Sequence, residues 1–224
     1  AYAAGDLRGS QTKLSPEKWI EGVAKVPLVH QPGTSFLYGV STDVLGHLVA
    51  VVSGKPFETF LREEIFEPLG MSDTGFSVPA EKVDRFAANY GPGPDGRLAL
   101  VEAPEKSRYL SPPAFASGAG GLVSTVDDYL RFGEMLRRGG ELDGVRLLSR
   151  KSLELMTTNH LTAEERNVPM LTGWFPGQGF GLGFSVVEDL APGGTLGSVG
   201  QFGWGGAAGT YFWIDPAEEL VAIL

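Results

Sequence analysis

Serine acyl transfer needs a nucleophile, a base to take its proton, and N–H donors for the oxyanion. Residues of the right types occur in this 224-residue chain. Ser10-Gln11-Thr12-Lys13 and Ser15-Pro16-Glu17-Lys18 each place a serine three residues before a lysine. On a helix that spacing puts hydroxyl and amine on one face. Neither copy reads as catalytic: Ser15 is followed by proline and reads as a helix N-cap, and Ser10 lies in a Gly-containing loop with no apolar helix behind it. A phenol is offered at Tyr38. It follows the turn marked by Pro32-Gly33 and precedes Ser41, Thr42 and Asp43, three N-cap residue types ahead of an apolar-periodic run. Tyr38 is therefore expected on a connection close to a helix start, a place where a hydroxyl is held rigidly in a cleft. The third stretch is Phe202-Gly203-Trp204-Gly205-Gly206-Ala207-Ala208-Gly209-Thr210, where glycines ahead of a strand suggest close backbone approach.

Other chemistries find little support. His30, His47 and His160 are scattered without the His-Glu-x-x-His spacing, and no metal site or cofactor fingerprint is indicated. His30 reads as an orienting or surface residue and His47 as a partly exposed structural one. Ser117 to Gly121 is Gly-rich but has no Walker lysine, so close backbone packing is the better reading. The formal net charge of −9 argues against nucleic acid, whose phosphates need a basic face. With no cysteine there are no disulfides and no thiolate chemistry. No run is long enough to span a membrane. The chain begins without methionine and stops within an apolar run, and reads as an internal piece of a longer protein.

The elements that must position these residues follow from period and punctuation. Ser15-Pro16 opens a helix to about Lys25 with Trp19, Ile20 and Val23 inward. After Tyr38, a helix should bury Val44, Leu45, Leu48, Val51 and Val52 and end at Gly54. Pro56 opens another, with Phe57, Phe60, Leu61 and Ile65 inward, ending before Pro68. Residues 77–113 lose periodicity and read as a long loop covering the cleft. Ser124 or Thr125 caps a helix running to Gly139-Gly140, and Ser149 caps another. Trp174-Phe175-Pro176 reads as a possible pocket wall. From Phe180 the period becomes two: Phe180, Leu182, Phe184 and Val186 alternate as one strand. Ala191 to Gly194 is a turn, and Thr195 to Gln201 is expected to pair back. Thr210–Ile214 and Leu220–Leu224 form a hairpin over Asp215 to Glu219. Residues 1–179 are thus mainly helices and loops and 180–224 antiparallel strands of the main sheet, an α+β fold in an α/β layered arrangement.

Several of these pieces together resemble the serine β-lactamase-like hydrolases, in particular the esterases related to class C β-lactamases, beside the penicillin-binding proteins. They are the Pro32-Gly33 lead-in to Tyr38, Asp43-Val44-Leu45-Gly46, Val52-Ser53-Gly54, Glu67-Pro68-Leu69-Gly70-Met71-Ser72-Asp73-Thr74-Gly75-Phe76, Ala119-Gly120-Gly121-Leu122 and Ser124 to Asp128. The resemblance implies a β-lactamase/transpeptidase-like fold, here as a partial domain over 1–224. It also implies an acyl-enzyme on a serine of a Ser-x-x-Lys motif that would fall before Ala1. Tyr38 then takes part in acyl transfer. Trp204-Gly205-Gly206 stands where β-lactamases carry Lys-Thr-Gly, and the Ala207 N–H is one oxyanion donor. Val40 stands where the β-lactamase pattern Tyr-x-Asn has its asparagine. Both departures favour a carboxylic ester hydrolase acting on a small-molecule ester: Trp204 offers a ring face and an N–H to an acyl or alcohol group, and no cation to a carboxylate. The other readings are a β-lactamase or peptidoglycan D,D-peptidase, a transacylase, and a non-catalytic binding protein on the same scaffold. The compartment, the acyl and alcohol groups and the oligomeric state are not legible from residues.

Overall fold

The computed structural model describes residues 6–166, 175–194 and 196–224. The chain forms two compact units. One comprises Ala1–Val26, Val40–Glu63 and Asp73–Thr125; the other comprises Pro27–Gly39, Glu64–Ser72 and Val126–Leu224.

In the first unit, α1 (Pro16–Val23) starts as its sequence requires. The Ser15 hydroxyl accepts from the Lys18 N–H, and Pro16 occupies the first turn, where a missing N–H costs nothing. The helix seats Trp19, which is fully buried, against Phe115 at 4.7 Å between ring centroids, with the indole N–H donating to the Leu7 carbonyl. Leu14, Ile20, Val23, Val26, Val40 and Val44 pack around this cluster.

α2 (Ser41–Ser53) departs from expectation at both its start and its buried face. Val40 holds the N-cap position and makes no side-chain cap bond. The residues this helix buries are Asp43 and Gly46, while Leu45, Leu48, Val51 and Val52 are exposed. The reason is steric. A Cβ on Gly118 would lie 2.1 Å from the Thr42 carbonyl oxygen, and one on Gly46 would lie 3.3 Å from the Gly118 Cα. Two backbones thus meet at glycines, and the small face of the helix turns inward. This is the close packing expected of the Ser117–Gly121 run. Asp43 sits in the first helical turn, where the helix dipole favours a carboxylate. It accepts from the Ser117 hydroxyl and the Ala119 N–H, and Gly9 lies against both its oxygens.

α3 (Phe57–Leu61) continues through a π-helical turn at Arg62–Phe66 into α4 (Glu67–Leu69), so the chain passes Pro68 before ending at left-handed Gly70. A widened register tolerates a residue with no N–H to donate. The stretch expected as a long loop is largely ordered. It holds the hairpin β1 (Asn89–Pro92) and β2 (Leu98–Glu102), closed by Gly93 N–H to the Arg97 carbonyl, with 3-10 turns on either side. The signal missed was Pro94-Asp95-Gly96, a turn sequence joining two short strands.

The second unit contains α5 (Val126–Arg137), the two-residue pair β3 (Glu141–Leu142) and β4 (Val145–Arg146), α6 (Arg150–Met156) and α7 (Ala163–Arg166). Ser149 caps α6 as expected, accepting from the Ser152 N–H at 3.0 Å. The unit also holds a five-stranded antiparallel sheet in chain order: β5 (Gln178–Phe180), β6 (Ser185–Val187), β7 (Phe202–Gly205), β8 (Tyr211–Asp215) and β9 (Leu220–Ile223). α5 lies on the β9 side, with Gly133 against Val221 and Tyr129 edge-on to Phe212 at 5.1 Å. The β8–β9 hairpin has the expected bounds within a residue and pairs Asp215 with Leu220. The single strand expected from Phe180 to Val186 is two strands, because Gly181-Leu182-Gly183 turns and Gly183 adopts φ +106°. The return strand is Phe202–Gly205 and not the residues before it; Thr195 lies outside the described residues. Ala191 to Gly194 falls in a short helix, α8 (Leu190–Gly193), capped by Asp189.

Burial raises the Asp43 carboxyl above its ordinary range against the opposing pull of the Ser117 and Ala119 hydrogen bonds. The folded state then holds a proton that the unfolded state has released, so stability falls as pH rises from the ordinary aspartate value through the folded one. Asp43→Asn keeps an acceptor oxygen and removes the titration. Measured by denaturant midpoints, the variant should gain on the parent between pH 4 and pH 7; a constant difference between the two would contradict this.

Candidate active site

The second unit brings Tyr38 and Trp204 together across 166 residues of sequence: the Trp204 Nε1–H donates to the Tyr38 Oη at 3.2 Å. The rings lie 5.4 Å apart at 43°. Tyr38 is on the connection, three residues before Ser41, where the sequence put it, and its side chain is about half exposed (53%). Trp204 is in β7, which shares a register with β8: Trp204 pairs with Phe212 and Gly203 with Trp213. Strand alternation puts Phe202 and Trp204 on the same face. Phe202 is buried against Phe184 at 5.2 Å, so the site begins where the core ends.

Two further aromatic residues frame the indole, and a third backs one of them. Phe175 stacks on it at 5.1 Å and 22°. Phe180, at the end of β5, meets it edge-on at 5.1 Å and 89°. Phe36 contacts Phe180 at 4.9 Å, which anchors the segment two residues ahead of Tyr38. Of the residues read as a pocket wall at 174–176, Phe175 contacts Trp204, and Trp174 lies outside the described residues. The parts of Phe36 and Phe180 were not read from sequence. Each looks like an ordinary core aromatic, and only their spatial convergence distinguishes them.

The Gly-rich turn after β7 closes through Gly206 N–H to the Thr210 carbonyl at 2.7 Å and Gly209 N–H to the Gly206 carbonyl at 3.1 Å. Gly205 and Gly206 are exposed, as is Ala207, whose N–H meets no acceptor among the described residues. Such a donor is open to an incoming oxygen. Gly203 supplies the close approach that the sequence suggested: a Cβ there would lie 2.1 Å from the Phe212 carbonyl oxygen.

Other sequence candidates take structural positions. Ser15 caps α1, and Ser10 sits in a 3-10 turn with its Cβ 3.2 Å from where a side chain on Gly121 would begin. Val40 packs into the Trp19 cluster. The N–H of Trp204, offered to substrate on the sequence reading, is engaged by Tyr38 instead. Of the other two phenols of this unit, Tyr129 is half-buried and burial pushes it up to about 12, and burial raises Tyr211 as well, both away from service as a base. Among the described residues no group of three or more His, Cys, Asp or Glu is placed to hold a metal, and no helix is long and apolar enough to cross a membrane.

The Beta-lactamase family model matches residues 2–224. Protein Rv1367c of Mycobacterium tuberculosis is 41% identical over 213 residues, covering 93% of this chain and 52% of its own length. Esterase EstB of Burkholderia gladioli is 32% identical over 218 residues, 90% of this chain and 52% of EstB. Among solved structures, EstCE1, described as a hydrolase with promiscuous acyltransferase activity, superposes with a TM-score of 0.78 at 28% identity, over 96% of this chain and 57% of that one. The chain spans about half the length of the curated relatives it matches.

Gly203→Ala forces a methyl group into the Phe212 carbonyl. In the intact protein that contains this segment it should lower stability by about 1–3 kcal/mol, the usual cost of overpacking, seen as a lower Tm. An unchanged Tm would show that β7 and β8 can separate without loss.

Proposed function

We propose, for a chain that belongs to the Beta-lactamase family, the function of a carboxylic ester hydrolase that works through a serine acyl-enzyme. The observation that carries this reading is the Tyr38–Trp204 hydrogen bond inside an aromatic frame. It joins a proton-transfer group to an uncharged wall at one place. The esterase and hydrolase among its relatives support the same class.

In this reading the nucleophilic serine and its lysine belong to a segment outside residues 1–224. Tyr38, acting in its deprotonated form, takes the serine proton as Oγ attacks the ester carbonyl. The Ala207 N–H, whose position after β7 leaves it open, supports the negative charge that develops on the carbonyl oxygen. Tyr38 returns the proton to the departing alcohol as the carbon–oxygen bond breaks. Water then repeats the sequence in reverse: it gives a proton to Tyr38, attacks the acyl carbon and releases the acid as serine regains its proton. No metal or cofactor is required for these steps.

In the intact enzyme, Tyr38→Phe should lower kcat by about a hundredfold or more, the range for general acid–base groups, with little loss of stability because Tyr38 is half exposed. Full ester turnover by a folded variant would remove Tyr38 from the mechanism.

Substrate preference follows from charge. A penicillin carries a carboxylate, and Trp204 has no charge to meet it. Val40 has no amide to offer a substrate amide and is packed into a cluster of apolar side chains. A buried group left without its partner costs about 1–3 kcal/mol, so two such losses would weaken β-lactam turnover by a few orders of magnitude relative to a β-lactamase. Short apolar esters need neither partner. The ratio of kcat/KM for a p-nitrophenyl ester to that for a chromogenic cephalosporin should therefore be large. A ratio near or below one would favour the β-lactamase or D,D-peptidase reading.

A further inference from the structure

We infer that Trp204 is a positioning residue for Tyr38, acting through its indole N–H as well as walling the site with its ring. The inference rests on the proposed role of Tyr38 as proton carrier and adds what orients its proton.

Tryptophan Nε1 can donate a hydrogen bond and cannot accept one. In the contact at 3.2 Å the Tyr38 oxygen is therefore the acceptor, and its own proton must point to some other acceptor. An alternative partner such as a hydroxyl or a carboxylate could take that proton and hide it; an indole cannot. The phenol O–H is thus turned away from the indole. The same N–H also discriminates between protonation states. A donor bound to a charged oxygen is stronger than one bound to a neutral hydroxyl, so the contact favours the deprotonated Tyr38, the form that can take the serine proton. The contact joins two protein side chains and touches no substrate atom, so its loss bears on kcat more than on KM.

The indole is held firmly enough to do this. Its backbone lies in the β7–β8 ladder opposite Phe212, Phe175 covers one face, and Phe180 meets the ring edge-on. Tyr38, half exposed and on a connection, has fewer restraints of its own. Phe36 anchors the chain ahead of it through Phe180, and the indole fixes the oxygen. The two contacts hold the Tyr38 segment and its reactive atom from the same three-ring frame.

The test uses the intact enzyme that includes this segment and its nucleophile, with a p-nitrophenyl ester as substrate. Trp204 is replaced by benzothienylalanine, which has the same shape with sulfur in place of N–H, and separately by phenylalanine (W204F). Each replacement is made with Tyr38 present and in the Tyr38→Phe background. With Tyr38 present, loss of the N–H should lower kcat about ten- to a hundredfold, the range for a hydrogen bond to a charged group, leave KM within about threefold, and move the acid limb of the kcat/KM profile to higher pH. In the Tyr38→Phe background the same replacements should change kcat by less than about twofold, because interacting residues are non-additive. Equal losses in both backgrounds, or no loss when Tyr38 is present, would overturn the inference while leaving Tyr38 as the proton carrier. Full activity of Tyr38→Phe alone would instead overturn the mechanism and this inference with it. Should W204F fold poorly, the isosteric variant still decides.

Discussion

At Gly203 two strands run too close for any side chain between them. The Phe212 carbonyl oxygen stands 2.1 Å from where a Cβ would be, and that approach fixes β7 on β8 one residue before the indole that meets Tyr38. Because Phe202 and Trp204 share a face, the strand runs without interruption from a buried core aromatic to a site aromatic. The aromatic frame, the Tyr38 contact and the open turn at Ala207 are all anchored to this ladder. A site built on a strand inherits the precision of its register, which a loop would not supply.

The choice of residue at position 204 has a plain physical logic. A lysine ammonium is a compact, strongly hydrated point charge that attracts an anionic substrate. An indole is large, uncharged and donor-only. It can lie among Phe175, Phe180 and Tyr38 without the cost of burying an ion, and it keeps one N–H for a neighbouring oxygen. The same side chain therefore presents a donor edge to Tyr38 and an uncharged ring face to Phe175.

Sequence reading reached the parts of the fold that local chemistry dictates. Ser15-Pro16 caps α1, Asp215 to Glu219 turns the β8–β9 hairpin, and Ser117–Gly121 packs backbone against backbone. It failed where a local pattern is silent about its partner. The apolar stripe of α2 was found, but its inward face is set by Gly46 and Asp43 meeting Gly118 and Ser117, residues more than seventy positions away. Alternation from Phe180 to Val186 looked like one strand because two paired strands of β5 and β6 alternate too; only the glycines at 181 and 183 mark the turn between them. At the candidate site, Tyr38 and Trp204 were legible through the motifs around them, while Phe36 and Phe180 carry no motif and gain meaning only in space, where Phe180 meets Trp204 and Phe36 backs Phe180.

The placement of the tryptophans makes the molecule its own optical probe. Trp19 is sealed beneath Phe115 in the first unit, out of reach of solutes. Trp204 stands partly open in the second unit, among rings close enough to couple with it electronically. Asymmetric packing of this kind gives aromatic chromophores strong near-ultraviolet dichroism, and partial exposure leaves an indole open to quenchers such as iodide. Two of the four tryptophans of the sequence, Trp174 and Trp213, add to the signal, so a molecule against Trp204 would change one contribution among several while that of Trp19 stays constant. Occupancy can thus be followed by light alone, without turnover and without a label.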